Sequence, residues 1–480
     1  MLVTMLALPG MLLAMAACGS PSGSSDTESP SGEAGGTETA TATTPAELAG
    51  AAEGWNVLLL SVDTLRADRL NAYGYGERTT SPALDELFAG GVRFQQASAP
   101  RSITWPSLAS VLTGLYPSGH GVFENGYELP EDLPTLPLRL DAAGYQTAAF
   151  LSNMCRAGHR GWDALRCSQG RDGRTLQWAL EWSDTLDREQ PFFLWVHYFG
   201  AHSPYYNGGD LAARELDPDY QGDLIPKKWR LDRVMEEKEE LDAADRRHLD
   251  AIYDAAVIGS DGLSGRLLAG LRERGLLERT LVVFLSDHGE DLYQHNGYLY
   301  HACSVYQSSL HVPLGFVAPG LIPADSAVSQ PVELTDVAPT ILDLLGLPPI
   351  EEAHGLSLRP YLERPQRGGA GKPAYTEYGD TRIHTVLSGD WKLVVNPDKL
   401  TPFCFGGGPA DLYPIEALEL YNLAEDPFEQ ENLSTQHPAR VAELQTLIRQ
   451  RFAGLAQRTE RQDIPEELKE ELRSLGYVAN

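Results

Sequence analysis

Two short apolar runs, each closing on acidic residues, constrain this 480-residue chain more than any other feature. The first lies in WNVLLLSVDTLRADRL, covers residues 57–60 and leads into Asp63, Thr64, Arg66 and Asp68. The second lies in RTLVVFLSDHGED and leads into Asp287, His288 and Glu290. Continuous apolar runs of strand length suit burial on both faces, the mark of a parallel sheet covered by helices. Ligands of open parallel sheets bind beyond the carboxyl ends of the strands, so acids that follow two separate strands can converge there. Asp63, Asp287 and His288 are therefore expected to form a divalent-metal site.

A third stretch, RSITWPSLASVLTGLYPSGHGV, places Thr104 just ahead of Pro106, Ser107 and a helix-like apolar run. A hydroxyl at a helix N-terminus faces unpaired N–H groups and the positive end of the helix dipole, which favour an anionic ester. Taken alone, Thr104 reads equally as a capping residue and Pro106 as a first-turn proline. The two acid-bearing strands turn the reading toward a nucleophile beside a metal.

Strand patterns at 57–61, 147–151, 191–198, 281–286 and 313–317 alternate with helix patterns at 82–89, 133–143, 249–273 and 336–345. This predicts an α/β architecture with a mixed, mostly parallel sheet. A Gly- and Arg-rich stretch at 364–372 marks a boundary between a catalytic domain, 54–365, and a C-terminal subdomain, 366–480. Strands at 375–377, 384–387 and 391–395 and a helix at 438–455 are expected beyond it.

Residues 1–17 form an apolar segment too short for a bilayer anchor, and Ala16 and Ala17 precede Cys18. This resembles a bacterial lipoprotein signal, with Cys18 as the lipidated residue, although no Lys or Arg precedes the apolar run. Residues 18–53 are rich in Ser, Gly and Thr and read as a tether, with folding starting near Trp55. The expectation is an exported protein of the bacterial cell envelope, held to a membrane by a lipid anchor. Lys plus Arg total 38 against 67 for Asp plus Glu, a net charge of −29, which argues against nucleic acid as a partner. An anionic substrate must then be captured by local metal, cationic and N–H groups. Of the five cysteines, Cys155 and Cys167 are close enough to staple one loop in an exported chain.

The pieces NVLLLSVDTLRADRLNAYGY, TWPSLASVLTGLYPSGHGV, HYFGAHSPY, SDHGEDLYQHNGYLYH, DVAPTILDLLG and LELYNLAEDPFEQENLS occur in one order over residues 54–435. In that order they resemble the sulfatase family of the alkaline phosphatase superfamily. The resemblance implies an alkaline-phosphatase-like fold with a small C-terminal antiparallel unit that closes one side of the substrate cleft. It also implies that Asp63, Asp287 and His288 are metal ligands and Thr104 the nucleophile, with Thr64 in the place of a second ligand Asp. His202 in AHSPY matches the histidine that contacts the ester or its leaving group, and His301 stands where sulfate-cleaving relatives carry Lys. His295 and Asn153 are implied as substrate contacts, either His295 or His301 could hold a second metal, and Glu290 orients a ligand. Arg66 and Asp68 are expected to brace the first loop as a pair.

One departure redirects the chemistry. Sulfate-cleaving members carry a C-x-P-x-R or S-x-P-x-R pattern that yields formylglycine, whereas here the matching residues are Thr104, Pro106 and Leu108. Formylglycine is thus not expected. Thr in this place resembles the phosphate-transferring members, in which a metal-activated hydroxyl attacks phosphorus. Hydrolysis of a phosphate mono- or diester of a small molecule, glycan or lipid is the leading reading, with sulfuric ester hydrolysis the alternative. A head-group transferase and a non-catalytic metal-binding surface lipoprotein are readings from other classes. Replacing the second carboxylate by Thr64 and gaining His288 favours zinc or manganese, with calcium still compatible.

Overall fold

Alternation along the buried strands sorts the core into two layers. The computed structural model describes residues 48–154, 160–205, 218–295, 297–369, 371–378, 383–399, 414–458, 460 and 462–474. In β1 (Asn56–Val62), Val57 and Leu59 enter one hydrophobic cluster while Leu58, Leu60 and Val62 enter another. The same split recurs where Phe193 and Trp195 oppose Leu194 and Val196, and where Leu281 and Val283 oppose Val282 and Phe284. Successive strand side chains point to opposite faces, so apolar residues at every position need cover on both sides.

That cover is helical. The first face packs against the helices Thr104–Thr113 and Val337–Leu344, the second against Pro82–Ala89 and the long helix Ala243–Glu273. The long helix starts on a reciprocal cap, with Asp242 accepting from the N–H of Ala244 and Asp245 and Asp245 answering to the Asp242 N–H.

The remaining strands of this sheet are β2 (Val92–Ser98), β3 (Gln146–Leu151), β4 (Ala164–Cys167), β5 (Phe192–Tyr198) and β6 (Thr280–Ser286). After a two-strand ribbon of β7 (Asp291–Leu292) and β8 (Leu299–Tyr300), the sheet resumes with β9 (His311–Val317), β10 (Ser326–Val328) and β11 (Val332–Glu333). The spatial order is β10-β2-β9-β6-β1-β5-β3-β4, with β11 beside β2. Only β9 among these runs against its neighbours. Pro313 lies in β9 opposite the register shift between Phe94 and Ala97, where its missing N–H is tolerated.

The second sheet, β12 (Ala374–Glu377), β13 (His384–Ser388), β14 (Trp391–Val395) and β15 (Leu418–Asn422), is antiparallel. One face packs on the helix Pro438–Phe452 through Val386, Leu393, Leu420, Val441, Leu444 and Ile448. The expected α/β core and small antiparallel unit are thus both present. The structure corrects the tether's end: Leu48 and Ala52 are buried, and the N–H groups of Gly50 and Ala52 bond the carbonyls of Asp343 and Leu344. The packed region therefore includes Leu48, because this segment caps a helix end. The sequence reading also lacked β2, β4, β15 and the helix Asp172–Ser183.

The export signal, Cys18, Cys155 and Cys404 fall outside the described residues. Cys167 and Cys303 are both disulfide-bonded. Among the described residues no helix is long and apolar enough to cross a membrane.

Candidate metal and nucleophile site

The carboxyl ends of β1, β5 and β6 lie side by side, with Val62 opposite both Tyr198 and Ser286. Asp63 and Asp287 follow immediately, and both are fully buried. A single hydroxyl ties the two loops together. Ser286 Oγ lies 2.7 Å from the carbonyls of both Val62 and His288, which share its one proton, and accepts from the Leu65 N–H at 2.9 Å. Asp287 Oδ1 accepts from the N–H groups of His288, at 2.9 Å, and Thr64, at 3.2 Å.

Thr64 holds a left-handed backbone, φ 55°, which is costly for a β-branched residue. Its N–H bond to Asp287 and the 2.6 Å bond that Tyr253 donates to its carbonyl sustain it. Thr64, expected among the metal ligands, positions Asp287 through its backbone N–H, while its buried Oγ1 makes no hydrogen bond among the described residues. At Gly289 a Cβ would lie 2.2 Å from the Ser308 carbonyl oxygen, so glycine is what lets the chain fold back beside the site.

The helix Thr104–Thr113, α1 here, carries Thr104, the expected nucleophile, at its start. Ser107 Oγ donates to the Asp287 carbonyl at 2.7 Å, and Asn125 accepts the Trp105 N–H at 2.8 Å, which fixes the first turn. Thr104 Oγ1 then lies 3.2 Å from His288 Nε2. The same Nε2 is 3.4 Å from Asp287 and 3.7 Å from Asp63, so four of the expected residues meet. His288 Nδ1 faces the Gly289 carbonyl at 2.9 Å, which directs the Nε2 lone pair to the cluster.

A row of imidazoles continues outward. The rings of His288 and His301 are 4.4 Å apart and those of His301 and His202 5.1 Å. Burial pushes His288 and His301 down to about 4 and His202 well below its ordinary value. Glu290 Oε2 lies 3.2 Å from His301 Nδ1, and burial raises that carboxyl well above the usual range. Burial drives both members toward their neutral forms, with one proton serving their hydrogen bond. Asn153 Nδ2, expected as a substrate contact, donates to Asp63, one of the expected metal ligands. Arg66 and Asp68 do form a bidentate pair, at 2.8 and 2.6 Å, and Arg66 also holds the Glu290 carbonyl at 3.0 Å.

Two residues depart from expectation. His295 was read as a substrate contact, but its Nδ1 is 2.9 Å from Asp291, its Nε2 is 3.1 Å from the Phe428 carbonyl, and its ring stacks on Tyr306. Both nitrogens are taken, so it clamps the loop to the C-terminal unit instead. His197 was assigned no role, yet one of its ring nitrogens and one carboxylate oxygen each from Asp63 and Asp287 all lie within 4.8 Å of one another. The signal was there to find: Ser61 and His197 are the polar interruptions of two otherwise apolar strands, and they pair in register.

The donor set fits a divalent ion. Asp287 is fully buried and accepts from two neutral backbone N–H groups, and burial pushes the adjoining His288 toward its neutral form. A carboxylate buried with neutral partners needs a cation.

The sulfatase family profile matches residues 55–347, and the profile described as N-sulphoglucosamine sulphohydrolase, C-terminal, matches residues 296–458. The chain belongs to the sulfatase family. Arylsulfatase K of Danio rerio is 32% identical over 210 residues, 42% of this chain and 37% of that protein. Arylsulfatase K of Gallus gallus is 24% identical over 458 residues, 82% of each chain. Among solved structures, a protein in complex with its substrate D-glucosamine-2-N,6-O-disulfate superposes with TM-score 0.68 at 21% identity, covering 88% of this chain and 99% of the other. The phosphonate monoester hydrolase of Agrobacterium radiobacter superposes with TM-score 0.65 at 22% identity, covering 83% and 96%. The chain is an ester hydrolase of this family.

Proposed function

We propose that this chain hydrolyses a phosphoric mono- or diester through a covalent Thr104 intermediate, in a site where Asp63, Asp287 and His288 hold a divalent ion. The observation that carries the reading is the position of Thr104 Oγ1, 3.2 Å from His288 Nε2 at the start of α1. When bound, the ion supplies positive charge that lowers the hydroxyl's pKa and offsets the ester's oxygens. Zinc or manganese suits the imidazole better than calcium does. The Thr104 oxygen forms a bond to phosphorus as the leaving oxygen departs with a proton. Water then breaks the phosphorus–Thr104 bond and restores the hydroxyl. His202 and His301 sit where a proton can be delivered, since an anionic ester offsets the burial that keeps both neutral.

No formylglycine enters this scheme, because Thr104 holds the nucleophile position. The substrate class is an anionic ester on a glycan or similar carrier, supported by the sugar disulfate named for one structural neighbour. A second reading, sulfuric ester hydrolysis, is favoured by the arylsulfatase names of the relatives. Parallel assays on p-nitrophenyl phosphate, its diester and p-nitrophenyl sulfate separate the two. Turnover of the phosphates is expected, and turnover of the sulfate alone would sink the phosphate reading. Thr104→Ala is expected to lower the rate about 10⁴-fold or more without changing thermal unfolding.

Export as a Cys18-anchored lipoprotein is part of the same proposal, supported by the disulfides at Cys167 and Cys303, which persist in oxidising compartments. Labelling with a palmitate analogue that survives Cys18→Ser would exclude the anchor.

A further inference from the structure

The family motifs point to Asp63, Asp287 and His288, and leave His197 without a task. We infer that His197 is a further ligand of this metal site, and that its imidazole biases the site toward zinc or manganese over calcium. The inference rests on the metal-dependent reading above.

Three observations support it. His197 is fully buried near the carboxyl end of β5, and the alternation of β5 and β1 puts Phe193, Trp195 and His197 on the same face as Val57, Leu59 and Ser61, the face that α1 covers. One ring nitrogen, Nδ1, lies 2.8 Å from Ser61 Oγ. The other, Nε2, has no hydrogen-bond partner among the described residues, although Asp63 and Asp287 lie within ligand spacing of the ring. A buried imidazole nitrogen beside two carboxylates that makes no direct bond to either is placed for a cation between them.

The surroundings also allow the tautomer that a metal ligand needs. Ser61 Oγ accepts Trp195 Nε1–H at 2.9 Å, and its own proton can reach the Val196 carbonyl at 3.5 Å. A hydroxyl oxygen has two lone pairs and one proton, so with that proton turned to Val196 the remaining lone pair can accept His197 Nδ1–H. The Nε2 lone pair is then free for a cation, the arrangement found for metal-bound histidines whose second nitrogen is anchored. A site with two carboxylates and two imidazoles suits a borderline ion, whereas calcium prefers oxygen ligands throughout.

The test uses the full chain stripped of metal, with zinc, manganese and calcium titrated separately against a chromophoric chelator. Cobalt loading adds a spectrum that reads nitrogen coordination. His197→Gln is expected to weaken zinc about 100-fold or more and to alter the cobalt bands, with calcium affinity changed little. Ser61→Ala, which removes only the anchor, should weaken zinc about 10-fold. Unchanged zinc affinity in folded His197→Gln, or in Ser61→Ala should His197→Gln not fold, overturns the inference while the metal-dependent reading stands. A wild-type chain that binds none of the three ions overturns both.

Discussion

Two regions of this molecule bury carboxylates, and they treat them in opposite ways. Where the second sheet meets the site loops, Lys392 Nζ lies 2.5 Å from Glu429 and 2.7 Å from the Val305 carbonyl, all buried. Nearby, Lys372 bridges Glu333 at 2.7 Å and Asp336 at 2.6 Å. Each of these acids receives its cation from the chain itself. At the ends of β1 and β6, the donors to Asp287 among the described residues are all neutral. The contrast separates scaffold from site: a carboxylate neutralised by the protein holds the fold, and one left among neutral partners awaits a cation from solution.

The sharpest way to break the comparison is to neutralise one acid in each region. Asp287→Asn is expected to lower activity about 10³-fold or more and to abolish tight metal binding, while the metal-free protein melts no earlier than wild type. Glu429→Gln strands the Lys392 ammonium and should cost about 3–5 kcal/mol by denaturant titration, with metal affinity unaltered. If both variants destabilise the metal-free protein equally, the distinction between the regions fails. Metal itself should stabilise wild type by about 2.7 kcal/mol at a free concentration near 100 times Kd, seen as a melting shift that chelator reverses and Asp287→Asn lacks.

The smallest effect concerns pH. His120, buried where its Nε2 meets Ser110 Oγ at 3.0 Å and its Nδ1 accepts the Val122 N–H at 3.1 Å, is pushed down to about 3 by burial. The unfolded chain therefore binds a proton that the folded one refuses, so stability is full above the ordinary histidine value and falls as pH drops toward 3. Between roughly pH 7 and pH 5.5 this group should cost about 1 kcal/mol. His120→Gln should flatten that slope in chelator-treated protein, and an unchanged slope would assign it elsewhere.

The sequence showed much of the site because its residues follow strands whose burial is written in uninterrupted apolar runs. β1, β5 and β6 were legible for that reason, and Asp63, Asp287 and His288 came with them. β2 was not, since VRFQQAS mixes polar residues into a strand that leaves Gln95 exposed. His197 was legible only as a polar interruption of an apolar strand. A lone histidine inside a strand carries no periodic signal, and its meaning comes from Ser61 on a strand far away in sequence. His295 and His301 belong to one loop and look alike on paper. Only the fold sends one to Asp291 and Phe428 and the other toward His288.

The reversed strand β9 has an effect on how such a protein can diversify. Because it runs back along β6, the chain leaves the sheet at Ser286 and re-enters at His311 on the same rim. The intervening segment begins with Asp287 and His288 and near its end accepts the N–H groups of Gly289 and Glu290 on the carbonyls of Ser309 and Ser308, while its middle is held by contacts such as those of His295 with Asp291 and Phe428 and of Tyr300 with Asp232. Insertions there would redraw the mouth of the cleft without shifting a rung of the ladder beneath. A change of substrate in this architecture should first be sought between Asp291 and Val305.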